Sequence, residues 1–248
     1  MTFLTTPIIQ LLVFLYDNLN QNLGLAIIAL TFIIRLAVAP ITIPSLRSAK
    51  KMQDLKPHLD KLKKKHKDKT KLQQAQLSLY REHGVNPLGG CLPQIAQLII
   101  LIALYQAFIS FISRGSVHDT QINMRFLWLD LSKPDPKYIL PVLAGVTQLL
   151  YSLAMQSGLE SHVKSPKNKE EHQKEEDSLE MAQAMQQQML FLMPLMTVVI
   201  STRFPAGLAL YWVVTTVFSF VQQLIISGPG GLPKYKNLAL SWVQKLTK

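Results

Sequence analysis

Arg35 is the residue whose placement demands a chemical explanation. It stands near the middle of Asn22 to Ser45, an otherwise apolar run long enough to span a bilayer. A guanidinium at hydrocarbon depth costs a few kcal/mol on insertion scales and about 10 kcal/mol or more in simulations of an isolated helix, so it requires protein or water around it. At 1.5 Å per residue it lies about 15 Å from Ser45, beyond comfortable snorkelling. None of the 15 acidic residues falls inside an apolar segment, so the charge has no built-in counter-ion.

Uncharged polar residues recur at helical spacing in the other apolar segments. Gln94 and Gln97 share a face in one, Gln148, Tyr151 and Ser152 occur in another, and Thr31 and Thr42 flank the arginine in the first. The last segment carries Trp212, Thr215, Thr216, Ser219, Gln222 and Gln223, a polar stripe on an apolar helix. Taken singly, such residues are interhelical glue at about 0.6 kcal/mol per contact. Together with an unpaired arginine they point to a water-filled concavity within the bilayer.

The chemistry that such a cavity supports is narrow. A proton-coupled pump needs a titratable carboxylate or histidine in its path, and an intramembrane hydrolase needs a nucleophile with a base or metal ligands; no apolar segment supplies them. The sequence therefore reads as a non-enzyme without cofactor or metal. His172 among Glu170, Glu171, Glu175 and Glu176 reads as a solvated linker cluster, and the lone Cys91 as a small apolar residue. What remains is a site that attracts negative charge briefly and releases it. An acidic stretch of another polypeptide crossing the membrane fits, as does an anion in a pore.

The elements that position these residues follow from hydropathy. Hydrophobic residues make up 48% of 248 positions while the net charge is +11, which suits a polytopic membrane protein with basic loops. We expect an all-α chain of five transmembrane helices, at 21–45, 88–113, 138–157, 187–202 and 206–227. Residues 1–20 read as an interfacial amphipathic helix rather than an intact signal peptide. Residues 46–87 read as a cytoplasmic basic helical hairpin restarted at Pro57, and 114–137 as an extracytoplasmic loop. Residues 158–186 read as a charged cytoplasmic loop, 203–205 as a short extracytoplasmic turn and 228–248 as a cytoplasmic tail with a short interfacial helix at Trp242. Segments 46–87, 158–186 and 228–248 carry 12, 4 and 4 Lys and Arg, against 4 in 114–137 and Arg203 in the turn. That asymmetry predicts an N-out, C-in topology. The basic hairpin suits anionic lipid, ribosomal RNA or an acidic protein surface, or serves only as a solvated face that enforces topology; no motif for DNA is present.

The segment IIRLAVAPITIPSLRSAKKMQDLKPHLDKLKKKHKD, followed by YREHGVNPLGGCLPQIAQLIILIALYQAF, resembles the first core span, cytoplasmic hairpin and second span of the YidC-type membrane protein insertases. Met193, Pro194 and the run FPAGLALYW from Phe204 to Trp212 resemble the closing hairpin of that family. The resemblance covers about residues 20 to 227 in order and is closest to the short form without a large periplasmic domain. It implies an ATP-independent insertase and chaperone of the bacterial inner membrane, acting alone or beside the Sec translocon on newly made membrane proteins with acidic translocated tails. It also implies a hydrophilic groove in which Arg35 draws in the acidic tail, with Gln148 and Trp212 where polar groove residues are expected; the polar residues at helical spacing add Gln94, Gln97, Thr215, Thr216 and Ser219 to its expected lining. The hairpin would receive clients or contact the ribosome and signal recognition machinery. Two alternatives stand beside it: an anion-permeable channel, and a structural factor that holds other membrane subunits together.

Overall fold

The computed structural model describes residues 2–65, 69–84, 92–113, 116–117, 120–155, 191–230 and 232. The charged segment 158–186, Cys91, the tip of the basic hairpin and the tail with Trp242 lie outside the described residues. Eight helices are described: α1 (Thr2–Asn18), α2 (Leu23–Asp54), α3 (Lys56–Lys65), α4 (Lys69–Glu82), α5 (Leu92–Ser113), α6 (Ile139–Met155), α7 (Phe191–Ser201) and α8 (Ala206–Ser227).

Three of these are long and apolar enough to cross a membrane: Leu23–Asp54, Ala96–Ser113 and Ala206–Ser227. Only about a third or less of each apolar window is buried inside the protein. The remainder turns large side chains outward, Phe32 and Leu36 on α2, Leu98 and Ile102 on α5, Val221 and Ile225 on α8. Such a surface suits hydrocarbon rather than water. The two further apolar helices, α6 and α7, are shorter.

α2 begins at Asn22, whose side-chain oxygen accepts the Leu25 N–H at 3.1 Å. This N-cap satisfies one of the orphan donors of the first turn. The helix then runs without a break through Pro40, Pro44 and Ser45 to Asp54, well past the end of its apolar part. It stops at Leu55, and α3 restarts with Pro57 in its first turn, where the missing N–H has no helical partner to lose.

The core is made where α8 packs against α6 and α2, and α1 against α5 and α2. Leu12 and Tyr16 of α1, Leu23 and Leu30 of α2, Phe111 of α5 and Leu208 of α8 close one apolar cluster. Small residues let the backbones approach. Val198 of α7 occupies the space that a β-carbon on Gly145 of α6 would need. Gly145→Val is therefore expected to force α6 and α7 apart at a cost of about 1–3 kcal/mol, read as a lower thermal denaturation midpoint in detergent.

Among the described residues, those between α5 and α6 bring the departure from a purely helical chain. Two antiparallel hairpins pair Ser116–Val117 (β1) with Thr120–Gln121 (β2), and Arg125–Phe126 (β3) with Leu129–Asp130 (β4). Strands of two residues carry no readable alternation, so the sequence gives no sign of them. The loop earns its order through backbone capping. Pro205 offers α8 no side-chain cap, and the first N–H groups of that helix instead donate to the loop, Ala206 to Lys133 O at 2.7 Å and Gly207 to Leu131 O at 3.1 Å. Tyr16 of α1 accepts the Asn123 N–H on its phenolic oxygen at 2.8 Å. Asp130 is held below the usual carboxylate range, first by the Ser132 hydroxyl and then by the Ser132 N–H and Lys133. Its contribution is present at neutral pH and fades as pH falls through that lowered value.

The basic hairpin has its own small core. Leu55, Leu59 and Tyr80 are buried together, with Met52 and Leu79 against them, and burial pushes the Tyr80 phenol up. Because this cluster is separate from the main one, Leu59→Ala is expected to remove about 2–3 kcal/mol locally. Amide exchange should accelerate in α3 and α4 and stay unchanged in α8.

Candidate functional site

Arg35 sits about halfway along the apolar part of α2, partly buried between α5 and α8. Its Nε donates to Thr215 Oγ1 of α8 at 2.9 Å, and its Nη2 donates to Gln97 Oε1 of α5 at 2.6 Å. Gln97 in turn donates from Nε2 to the Tyr211 hydroxyl at 3.2 Å. The Tyr211 and Tyr151 phenols also lie within electrostatic range of the guanidinium. All these partners are neutral. Among the described residues no carboxylate pairs with Arg35, and its Nη1 has no hydrogen-bond partner yet is not sealed from the surface.

A cation with such surroundings keeps nearly its full charge. Neutral oxygens solvate it, and none cancels it. Nη1 is the guanidinium nitrogen left without a protein partner among the described residues.

The other polar residues of α8 divide among three directions. Thr216 and Ser219 return their hydroxyl protons to their own helix, at Trp212 O (2.8 Å) and Thr215 O (2.9 Å). Gln222 donates to Thr42 of α2 at 3.3 Å, whereas Gln223, fully buried, donates to Ala154 O at the end of α6 at 3.1 Å. Ser227 donates to Leu46 O of α2 at 2.8 Å. Trp212 turns its ring toward Phe204 at a centroid distance of 6.3 Å. Gln148 is half-buried on α6, and Gln94 lies in α5 with its side chain outside the described residues.

The structure thus brings Arg35, Gln97 and Thr215 into direct contact, and not Trp212, Thr216 or Ser219. The residue that sequence reasoning missed is Tyr211. It stands four positions before Thr215 on the same helix face, and that spacing was the available signal.

The described elements and this site define a multi-pass helical membrane protein with an uncompensated cation among neutral polar groups. A family model described as the 60Kd inner membrane protein matches residues 14–230. The chain is 37% identical over 234 residues to the membrane protein insertase MisCA of Bacillus subtilis (strain 168), across 92% of this chain and 78% of that one. It is 34% identical over 234 residues to the membrane protein insertase YidC of Fusobacterium nucleatum, across 93% and 100% of the two chains. The crystal structure of an active YidC insertase with its first transmembrane domain resolved superposes with a TM-score of 0.59 at 25% identity. That match covers 89% of this chain and 45% of the solved one, so this chain spans less than half of that protein's length. The chain belongs to the 60Kd inner membrane protein family, the YidC-type insertases. Its relatives are named for membrane protein insertion, and the family is not one of enzymes.

Proposed function

We propose that this protein inserts single-span and other small membrane proteins by offering their acidic, translocating ends a hydrated positive site at Arg35. The observation that carries the reading is the guanidinium held by neutral oxygens alone, with Nη1 open. A polar tail that must cross hydrocarbon meets charge and water part-way, which lowers the barrier. The client's apolar segment then leaves into lipid along α6 and α8, driven by its own burial.

In this reading α6 and α7 complete five spans, N-out and C-in, in the bacterial inner membrane. The ordered loop from Thr120 to Lys137 lies on the outer side, and the basic hairpin receives clients on the cytoplasmic side, where anionic lipids, the ribosome, the signal recognition machinery and the Sec translocon are its expected partners. Gln94, Gln148, Trp212, Thr216 and Ser219 line or border the groove.

The test is reconstitution of the purified protein in liposomes with a single-span client whose translocated tail is acidic, read by protease protection. Tail protection well above protein-free liposomes is expected. Background-level protection, with anion currents in planar bilayers, would instead support a pore.

A further inference from the structure

The two hydrogen bonds to Arg35 fall on one edge of its guanidinium. Nε and Nη2 form the side-on fork, and the protein fills it with Thr215 Oγ1 and Gln97 Oε1. The other fork, between Nη1 and the second N–H of Nη2, has no partner among the described residues. A guanidinium has donors only, so the amide atom that faces it has to be oxygen. The Gln97 amide nitrogen is thereby turned to the Tyr211 hydroxyl, itself only 3% exposed, which tethers the amide from behind.

We propose that Gln97 and Thr215 are positioning residues that occupy the side-on edge of Arg35 with uncharged oxygens, so that the end-on Nη1/Nη2 fork is the face offered to a visiting carboxylate. The inference rests on the reading of Arg35 as the anion-attracting group and adds how it is aimed. Two parallel N–H groups match the two oxygens of one carboxylate, a geometry that an ammonium lacks. The neutrality of the clamp matters as much as its shape. A carboxylate in place of the Gln97 amide would satisfy the same nitrogen and cancel the charge, with no change in side-chain length.

The experiment compares wild type, Gln97→Glu, Gln97→Met and Arg35→Ala in liposomes, each given two clients that differ only in an acidic or a neutral translocated tail. The quantity read is the ratio of acidic-tailed to neutral-tailed insertion, which general damage to the bundle would not move in one direction. Gln97→Glu is expected to lower that ratio about tenfold, to the level of Arg35→Ala, as the loss of one charge-assisted contact dictates. Gln97→Met retains the charge without the clamp and is expected to fall between wild type and Gln97→Glu. Should Arg35→Ala lower the ratio while Gln97→Glu matches wild type, the aiming role is overturned and the arginine's role survives. Should all four proteins give one ratio, both are overturned.

Discussion

Arg35→Ala is expected to reduce insertion of an acidic-tailed client by about tenfold or more, the cost of one charge-assisted contact in a partly buried site. The effect has two sources. The carboxylate proposed to visit loses the guanidinium, and Thr215 and Gln97 lose the N–H donors whose bonds they accept. Arg35→Lys separates charge from geometry. A lysine ammonium supplies three donors from one point, so it cannot reach both Thr215 and Gln97 and still present a two-pronged face. Intermediate activity is expected from the lysine variant in the protease-protection assay. Equal rates in wild type, lysine and alanine proteins would rule out an electrostatic role for this residue.

The second large effect is expected on stability, from Asp135→Ala. Asp135 is 4% exposed and accepts two backbone N–H groups, that of Lys137 at 3.0 Å and that of Leu140 at 2.8 Å. It therefore closes the turn before α6 and caps the first turn of that helix. Alanine leaves the buried Leu140 N–H and the partly buried Lys137 N–H without their partner, at a cost of about 2–4 kcal/mol. Asparagine, with one acceptor oxygen in place of two, should cost about half as much. The damage should spread, because Lys133 and Leu131 of the same loop accept the first N–H groups of α8. The measurement is thermal denaturation together with proteolysis, and cleavage within 120–137 should accelerate in the alanine variant. An unchanged midpoint and cleavage rate would show that the loop is held by its apolar contacts alone.

Much of the bundle was legible because bilayer thickness imposes a length on apolar helices, and α2, α5 and α8 have it. Arg35 was legible for the opposite reason, as a residue that violates its surroundings. Gln97 and Thr215 were picked for polarity within apolar runs, and the fold places both against the guanidinium. Tyr211 escaped notice because an aromatic in the run LALYW reads as apolar bulk, and its hydroxyl finds a role only once α5 lies alongside.

Gln222 and Gln223 were grouped in one stripe, yet successive residues on a helix point about 100° apart. One therefore reaches α2 and the other α6. The expected span ends at Ser45, where charge begins, while the helix that carries it continues to Asp54, because a helix ends where its hydrogen bonds are interrupted, at Leu55. The strands between α5 and α6 depend on contacts distant in sequence, such as Phe126 packed over Gly24, which no local pattern announces.

The unbroken course of α2 makes it a strut. From Arg35 to Asp54 the axis covers about 28 Å at 1.5 Å per residue, and the base of the basic hairpin is bolted to its lower end. The hairpin base and the arginine therefore share one continuous helix, so a displacement of Leu55 would be passed to Arg35 along a single run of backbone.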